Sequence, residues 1–370
     1  MQQNKVKRVV FVQKFVPHYR LPLFELLRER LATQGIEFIL VYGRPDPYEG
    51  SKIKMEFPEW GIKVRSLIIP LPGRYVYIQG SPRFVKKGDV VIVEHASKLI
   101  DNYVLFLLQQ VGFLHLCYFG HGHNFQDAHE LKIAAYIKKL MVKRISRWFA
   151  YTEMSVASLT AQDVEPEKIV TVNNSLVRKN LVDESTVTRN QSDFVYIGGL
   201  YADKRLDFLL ESAQLVVAKH PEFRLHIVGD GPEADKISKF SSENSWCTYH
   251  GSLYNEDRER MLYRCNAILM PGLVGLVAID SFHFAAPILS TNCGQHSPEV
   301  VYLKDGENAT ILDNPDSTEE FAQAIERQLT DKVWSEKLRQ GCRESADVYS
   351  IENTADRFIK GILSIGHTKP

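Results

Sequence analysis

Phe194-Val-Tyr-Ile-Gly-Gly-Leu-Tyr-Ala-Asp-Lys-Arg-Leu-Asp207 reads as an apolar strand, a glycine turn and the mouth of a helix, with Lys204 and Arg205 at that mouth. Ile268-Leu-Met-Pro-Gly-Leu-Val-Gly-Leu-Val-Ala-Ile-Asp-Ser-Phe-His-Phe-Ala-Ala-Pro-Ile-Leu-Ser-Thr291 repeats the plan as strand, glycine loop, helix, turn and strand. In an open parallel sheet such loops, at the carboxyl ends of strands, hold phosphorylated ligands, because free backbone N–H groups and the positive end of a helix dipole meet there. A pyrophosphate at Gly198 and Gly199 would meet those groups and one or two cations. The competing reading of this segment alone is an ordinary strand-to-helix turn with two solvated cations.

Between the two units, Leu225-His-Ile-Val-Gly-Asp-Gly-Pro232 and Tyr249-His-Gly-Ser252 each end a strand on a glycine turn. Gly229 and His250 are therefore placed on the ligand side, since glycine lets backbone approach a ring or phosphate closely; Asp230 reads as a turn residue. Gly272 and Gly275 leave the next helix start bare, so that the backbone of Leu273, Val274, Gly275 and Leu276 faces anionic or hydroxylated groups. Asp280 lies in an otherwise apolar helix and needs a partner, for which a sugar diol is suited because a carboxylate accepts two hydrogen bonds.

Working outward, short β-branched runs alternate with helical periodicity along most of the chain, which is the pattern of an α/β protein with parallel sheets. Val9–Val12, Phe38–Tyr42, Val90–Val93 and His115–Phe119 are expected as buried strands, and Leu23–Ala32, Leu99–Val111 and Leu131–Ile145 as helices. A second series of strands begins at Trp148–Thr152 and Ile169–Val172. Asn173–Ser192 is polar and reads as a linker. At 370 residues two domains are expected. Residues 1–175 form the first lobe, 176–350 the second, and 351–370 a helix that packs back on the first. No internal repeat or low-complexity tract is present.

Lys and Arg number 45 and Asp and Glu 45, a balance that argues against wholesale nucleic-acid binding and makes any anion site local. The 5 cysteines are scattered, without metal-ligand spacing, and fit a reducing cytoplasm. No apolar run reaches membrane-spanning length, so a cytoplasmic protein, or one peripheral on the inner face of the membrane, is expected. Lys138, Lys139, Lys143, Arg144 and Arg147 are expected to share one helical region with Leu140, Met141, Ile145, Trp148 and Phe149. Such a stretch suits either an anionic membrane surface or a solvated helix face over a core.

In the first lobe, His121 sits between Gly120 and Gly122 just after an apolar strand, an exposed and tightly turned position that suits function. His123, His18 and Arg20 are secondary candidates, and Glu94 and His95 follow the strand ending at Val93.

The ordered series Gly198-x-Leu200, Lys204, Val228-Gly-Asp-Gly-Pro232, Tyr249-His-Gly251, Pro271 to Thr291 and Gly294 resembles the donor-binding lobe of the family-4 (group 1) retaining glycosyltransferases of GT-B fold. Val16-Pro-His-Tyr-Arg-Leu-Pro-Leu-Phe24, Gly120-His-Gly-His-Asn124, Trp148-Phe-Ala-Tyr-Thr-Glu153 and Asn173-Asn-Ser-Leu176 extend the resemblance over nearly the whole chain. The resemblance implies two Rossmann-like lobes facing each other across a cleft. It also implies transfer of a sugar, with retention, from a nucleotide-diphosphate sugar to a saccharide or lipid-linked acceptor of a cell-surface polysaccharide, with no obligatory metal. Lys204 would then hold the donor pyrophosphate and offset charge on the leaving group. Asp280 matches the second carboxylate of the family's Glu-x7-Glu motif, which binds the ribose, and His121 the histidine near the reacting carbon.

Three departures stand out. The family's basic residue five before the lysine is Gly199, which leaves Arg205 to supply the charge. The first Glu of Glu-x7-Glu is Gly272, which leaves the amides of Leu273 to Leu276 to grip the sugar. The N-terminal loop has Pro17-His-Tyr-Arg20 where the family has a glycine pair. Two rivals follow: a donor-binding pseudoenzyme or scaffold in a polysaccharide assembly complex, and a sugar-phosphate isomerase or epimerase of similar architecture.

Overall fold

The computed structural model describes residues 6–47, 50, 55–72, 74–122, 139–176, 181–294 and 296–367. The chain divides into two compact units, Met1–Val177 with Ser350–Pro370, and Arg178–Tyr349.

The first unit is built on a parallel sheet of β1 (Arg8–Gln13), β2 (Glu37–Tyr42), β3 (Ile62–Lys63), β6 (Val90–Glu94), β7 (His115–Gly120), β8 (Arg147–Ala150) and β9 (Ile169–Thr171), in the order β3-β2-β1-β6-β7-β8-β9. Val9–Val12 and Val90–Val93 are at most 4% exposed, as a sheet covered on both faces demands. Two further strands, β4 (Leu67–Leu71) and β5 (Arg74–Ile78), form a separate antiparallel hairpin. Helix α1 (Leu21–Ala32) carries a proline in its first turn and buries Leu23, Phe24, Leu27 and Leu31, one stripe of a helix against the sheet. Helices α2 (Asp101–Gln110) and α3 (Glu153–Ala161) follow β6 and β8.

Strand β8 ends at Ala150 rather than at Thr152, because Thr152 is the N-cap of α3 and its Oγ1 accepts from the Ser155 N–H at 3.4 Å. This also corrects the reading of the basic stretch as one helix. Arg147, Trp148 and Phe149 belong to β8 and are buried, Lys143 pairs with Asp163, and Lys139 and Arg144 are exposed. Lys138, with most of the expected helix Leu131–Ile145, lies outside the described residues.

The second unit has six parallel strands, β10 (Asn190–Ile197), β11 (Arg224–Val228), β12 (Cys247–Tyr249), β13 (Cys265–Met270), β14 (Ile288–Thr291) and β15 (Ala309–Leu312), in the order β12-β11-β10-β13-β14-β15. Its helices are α4 (Leu206–Lys219), α5 (Ala234–Glu243), α6 (Asn255–Arg264), α7 (Val277–His283), α8 (Thr318–Thr330) and α9 (Lys332–Val348). Strand β10 begins at Asn190, inside the expected linker. Before it, the Glu259 carboxylate accepts from the Leu181 and Val182 amides at 2.8 and 3.0 Å, so these residues are fastened to α6.

Helix α10 (Ile351–Leu363) belongs to the first unit. Ser350 caps it, and Phe358 enters an aromatic cluster with Phe149 at 4.8 Å, Phe119 at 5.1 Å and Phe11 at 6.0 Å between ring centres. Among the described residues no helix is long and apolar enough to cross a membrane.

Candidate functional site

In the second unit the sheet runs outward from β10 in both directions, so its order reverses between β10 and β13 and a crevice opens at their carboxyl ends. Lys204 follows β10 and the Gly272 loop follows β13. The structure brings them together, with Lys204 Nζ donating to the Leu273 carbonyl at 2.6 Å. Burial lowers the Lys204 pKa from its ordinary value, with Asp203 acting against that fall. A half-buried ammonium that hydrogen-bonds a neutral carbonyl is well placed to exchange that partner for an anion.

The three glycine turns are stitched backbone to backbone. Gly198 N donates to Val228 O at 3.0 Å, Leu200 N to Asp230 O at 2.9 Å, and Gly229 N to Gly251 O at 2.8 Å. A Cβ on Gly229 would stand 1.8 Å from the Gly198 carbonyl oxygen. Glycine at 229 is thus required by the neighbouring chain, whether or not a ligand approaches. The Gly199 carbonyl accepts from the Tyr196 hydroxyl at 2.7 Å.

The loop after β13 is fixed from two sides. A Cβ on Gly272 would lie 2.6 to 2.7 Å from the backbone of Asp203 and Lys204. No side chain fits at that position without moving the Lys204 turn, which gives the missing first carboxylate a steric reason. From the other side, Val274 N donates to His296 Nδ1 at 3.1 Å, so His296 carries its proton on Nε2 and donates to the Thr291 carbonyl at 2.8 Å. Cys293 Sγ is 3.5 Å from the same Nε2. Burial lowers the His296 pKa, and the Lys204 cation adds to this. The expectation that Val274 offers its amide to a ligand is therefore corrected: His296 already occupies it. His296, whose histidine follows a glycine-containing turn after β14, was not among the sequence candidates.

Three further expectations change. Asp280 is buried, yet its partner is a side chain: Arg258 Nη2, on α6, meets Asp280 Oδ2 at 2.5 Å. Burial alone therefore does not call for a sugar diol. Arg205 does not take up the charge missing at Gly199. It adopts a left-handed backbone (φ 57°) as N-cap of α4 and turns to Asp316 at 2.8 Å and Thr291 Oγ1 at 3.3 Å, its guanidinium over the Phe208 ring. His250 shares a 3.0 Å hydrogen bond with His226 Nδ1, and the far nitrogen of His226 is 3.7 Å from Asp193, which Arg264 also holds. His250 is thus tied into a string of protein side chains, and burial lowers its pKa.

In the first unit the strand ends gather a different set. Arg20 donates to the Tyr151 hydroxyl and, at 3.4 Å, to Gln13 Oε1, and lies over the Phe119 and Tyr151 rings. His121 meets the Tyr151 ring edge to face at 4.3 Å. Glu94 acts electrostatically on both Arg20 and Tyr151, and burial pushes the Tyr151 phenol above its ordinary value. Arg20, Glu94 and His121 thus share one neighbourhood. Tyr151, at its centre, was not among the candidate site residues; an aromatic just past a buried strand was the available signal. His95 instead packs on Tyr118 and Trp148, and His18 stands against Tyr19. His123 lies outside the described residues. Among the described residues no three His, Cys, Asp or Glu side chains are grouped to hold a metal.

Residues 191–331 match the family described as glycosyl transferases group 1. An uncharacterized glycosyltransferase of Haemophilus influenzae is 24% identical over 180 residues, covering 45% of this chain and 47% of the relative. The phosphatidylinositol N-acetylglucosaminyltransferase gpi3 subunit of Schizosaccharomyces pombe is 24% identical over 213 residues, covering 55% of this chain and 45% of the relative. The matches thus span about half the length of these curated relatives. HepE of Anabaena, solved in complex with UDP, superposes with a TM-score of 0.68 at 13% identity, over 96% of this chain and 99% of that one. Residues 191–331, within the second unit, are thus similar to group 1 glycosyltransferases, and the chain has the GT-B fold.

Proposed function

We propose that this protein transfers a sugar from a nucleotide-diphosphate sugar to a saccharide or lipid-linked saccharide acceptor of a cell surface, with retention at the anomeric carbon. The observation that supports it most is Lys204 at the sheet's reversal point, held against the Leu273 carbonyl in a loop that His296 and Gly272 fix. A donor diphosphate arriving there exchanges Leu273 for its own oxygens as the ammonium's partner. As the bond to the sugar breaks, the negative charge growing on the diphosphate faces a cation already partly desolvated, an arrangement that lowers the barrier without reorganisation. The first unit supplies the acceptor side, where Arg20, Tyr151, His121 and Glu94 offer donors and acceptors to sugar hydroxyls beside aromatic rings. HepE was solved with UDP, so uridine diphosphate sugars are the first donors to try.

A thermal-shift screen of nucleotide-sugars tests donor binding, because a ligand that binds only the folded state raises its stability. Release of nucleoside diphosphate on adding acceptors, with the product's anomeric configuration read by NMR, tests transfer and retention. No shift with any nucleotide-sugar would sink the donor reading. Gly272 supports one second reading: with the family's first carboxylate excluded by the Lys204 backbone, the chain binds donor without turnover and serves as a scaffold. Donor binding with no product across a broad acceptor panel would favour it.

A further inference from the structure

The hairpin of β4 and β5 reverses the usual relation between sheet face and solvent. Leu67, Ile69 and Leu71 lie on one face at alternate positions, with Ile78 directly across from Leu67. All four are exposed, Leu67 at 57%. On the opposite face Tyr77 is fully buried and its hydroxyl donates to Asp46 at 2.5 Å, while Ile68 and Tyr75 are half-buried. Tyr77 also joins the hairpin to the start of α2, accepting from the Ile100 N–H at 3.0 Å and donating to the Lys98 carbonyl at 2.8 Å. That pairing of Tyr77 with Leu99 sets Ile78 and Ile100 side by side on the outer side.

Helix α2 continues the surface. Ile100, Val104, Leu107 and Val111 follow one another at spacings of four, three and four, a single helical stripe, and all are exposed, Leu107 at 65% and Val111 at 77%. The other side of the helix buries Leu105 and Phe106. A helix apolar on both faces, beside a hairpin apolar on its outer face, is a surface built to be covered.

The charges around it say by what. From Ile62 to Val111 the exposed charged residues among those described are Lys63, Arg65, Arg83, Lys86 and Lys87, whereas Asp89 and Asp101 are buried and Glu94 is half-buried. The outward apolar side chains are aliphatic, without the tyrosine and tryptophan anchors that dominate protein interfaces. Exposed aliphatic side chains in a stretch whose exposed charges are lysine and arginine match the boundary of acyl chains and acidic headgroups.

We propose that the outer faces of β4–β5 and α2 dock this protein on an anionic lipid bilayer, aliphatic side chains in the headgroup boundary and the cations on acidic headgroups. This differs from docking through the basic stretch near Lys139, and it does not depend on the sugar-transfer reading. The test is co-sedimentation of the full chain with phosphatidylcholine vesicles, with and without about a third phosphatidylglycerol. Binding is expected to the anionic vesicles only and to weaken with salt. A Leu67→Ser, Ile69→Ser, Leu107→Ser, Val111→Ser variant should lose at least about tenfold in vesicle affinity, since each leucine carries a large transfer free energy. Its melting temperature should stay at the parent value, because the four side chains are exposed. Lys86→Glu with Lys87→Glu should weaken binding to anionic vesicles alone. No binding by the parent chain, equal binding by the serine variant, or a parent dimer that the serine variant abolishes would each overturn the proposal, the last in favour of a second copy.

Discussion

The two units share a strand order and differ at their strand ends. Each sheet runs 3-2-1 to one side of its reversal point and onward from 4 to the other. In the second unit the ends are backbone surfaces pressed together through glycine, with Lys204 and His296 as the principal polar side chains at the loops. In the first they are filled by Arg20, Tyr151, His121 and the Phe119 ring. One topology thus carries glycine loops around a lysine in one case and an aromatic wall with the Tyr151 hydroxyl in the other, which we propose as donor and acceptor sides. Fold alone assigns neither role; the residues at the loops do.

The contrast breaks first at Lys204. Lys204→Ala is expected to lower kcat/KM by about 10²–10³, the scale of losing one preorganised charge contact in the transition state, with far-ultraviolet circular dichroism unchanged. Turnover within a factor of two of the parent would remove Lys204 from the donor site. Next is Gly272→Glu, which supplies the carboxylate that the resemblance implies at this position. Its Cβ would collide with the Asp203 and Lys204 backbone, so a destabilisation of about 1–3 kcal/mol is expected in urea titrations, with no gain in turnover. A more active enzyme of unchanged stability would show that the loop yields.

The first unit answers to Tyr151→Phe, which removes the hydroxyl that accepts from Arg20. Loss of about 1 kcal/mol is expected, read as a several-fold rise in KM for acceptor with donor affinity unchanged. A change confined to donor affinity would reverse the assignment of the units. The smallest effect concerns pH. Burial holds the His296 pKa below its ordinary value in the fold, whereas the unfolded chain titrates near ~6.5. The unfolded state then binds more protons as pH falls, so stability present above ~6.5 is lost as pH drops through the lower folded pKa. His296→Asn should flatten the fall in melting temperature below pH ~6.5. Superimposable pH curves would show that His296 does not contribute to it.

Much of this was legible in the chain. Runs such as Val90–Val93 could only be strands buried on both faces, and the glycine turns marked their carboxyl ends. The shared topology leaves no repeat in the residues, since it rests on strand order; it was expected only through the resemblance, which implies two Rossmann-like lobes. The hairpin was missed because Leu67–Leu71 and Arg74–Ile78 put apolar residues on both faces, blurring the alternation that identifies a half-buried strand. In the candidate site, Lys204 and the Gly272 gap could be read directly. The partners of Asp280, Arg205 and His250 could not, because Arg258, Asp316 and His226 lie 22, 111 and 24 residues away in sequence.

Helix α10 sets an order on assembly. Phe358 fills the space between Phe11, Phe119 and Phe149, so the core of the first-synthesised unit stays open until the ribosome has made the whole of the other. The second unit is one continuous stretch and can close on its own. In this chain the lobe that begins first finishes last, and the second unit folds while its neighbour still waits for its final helix.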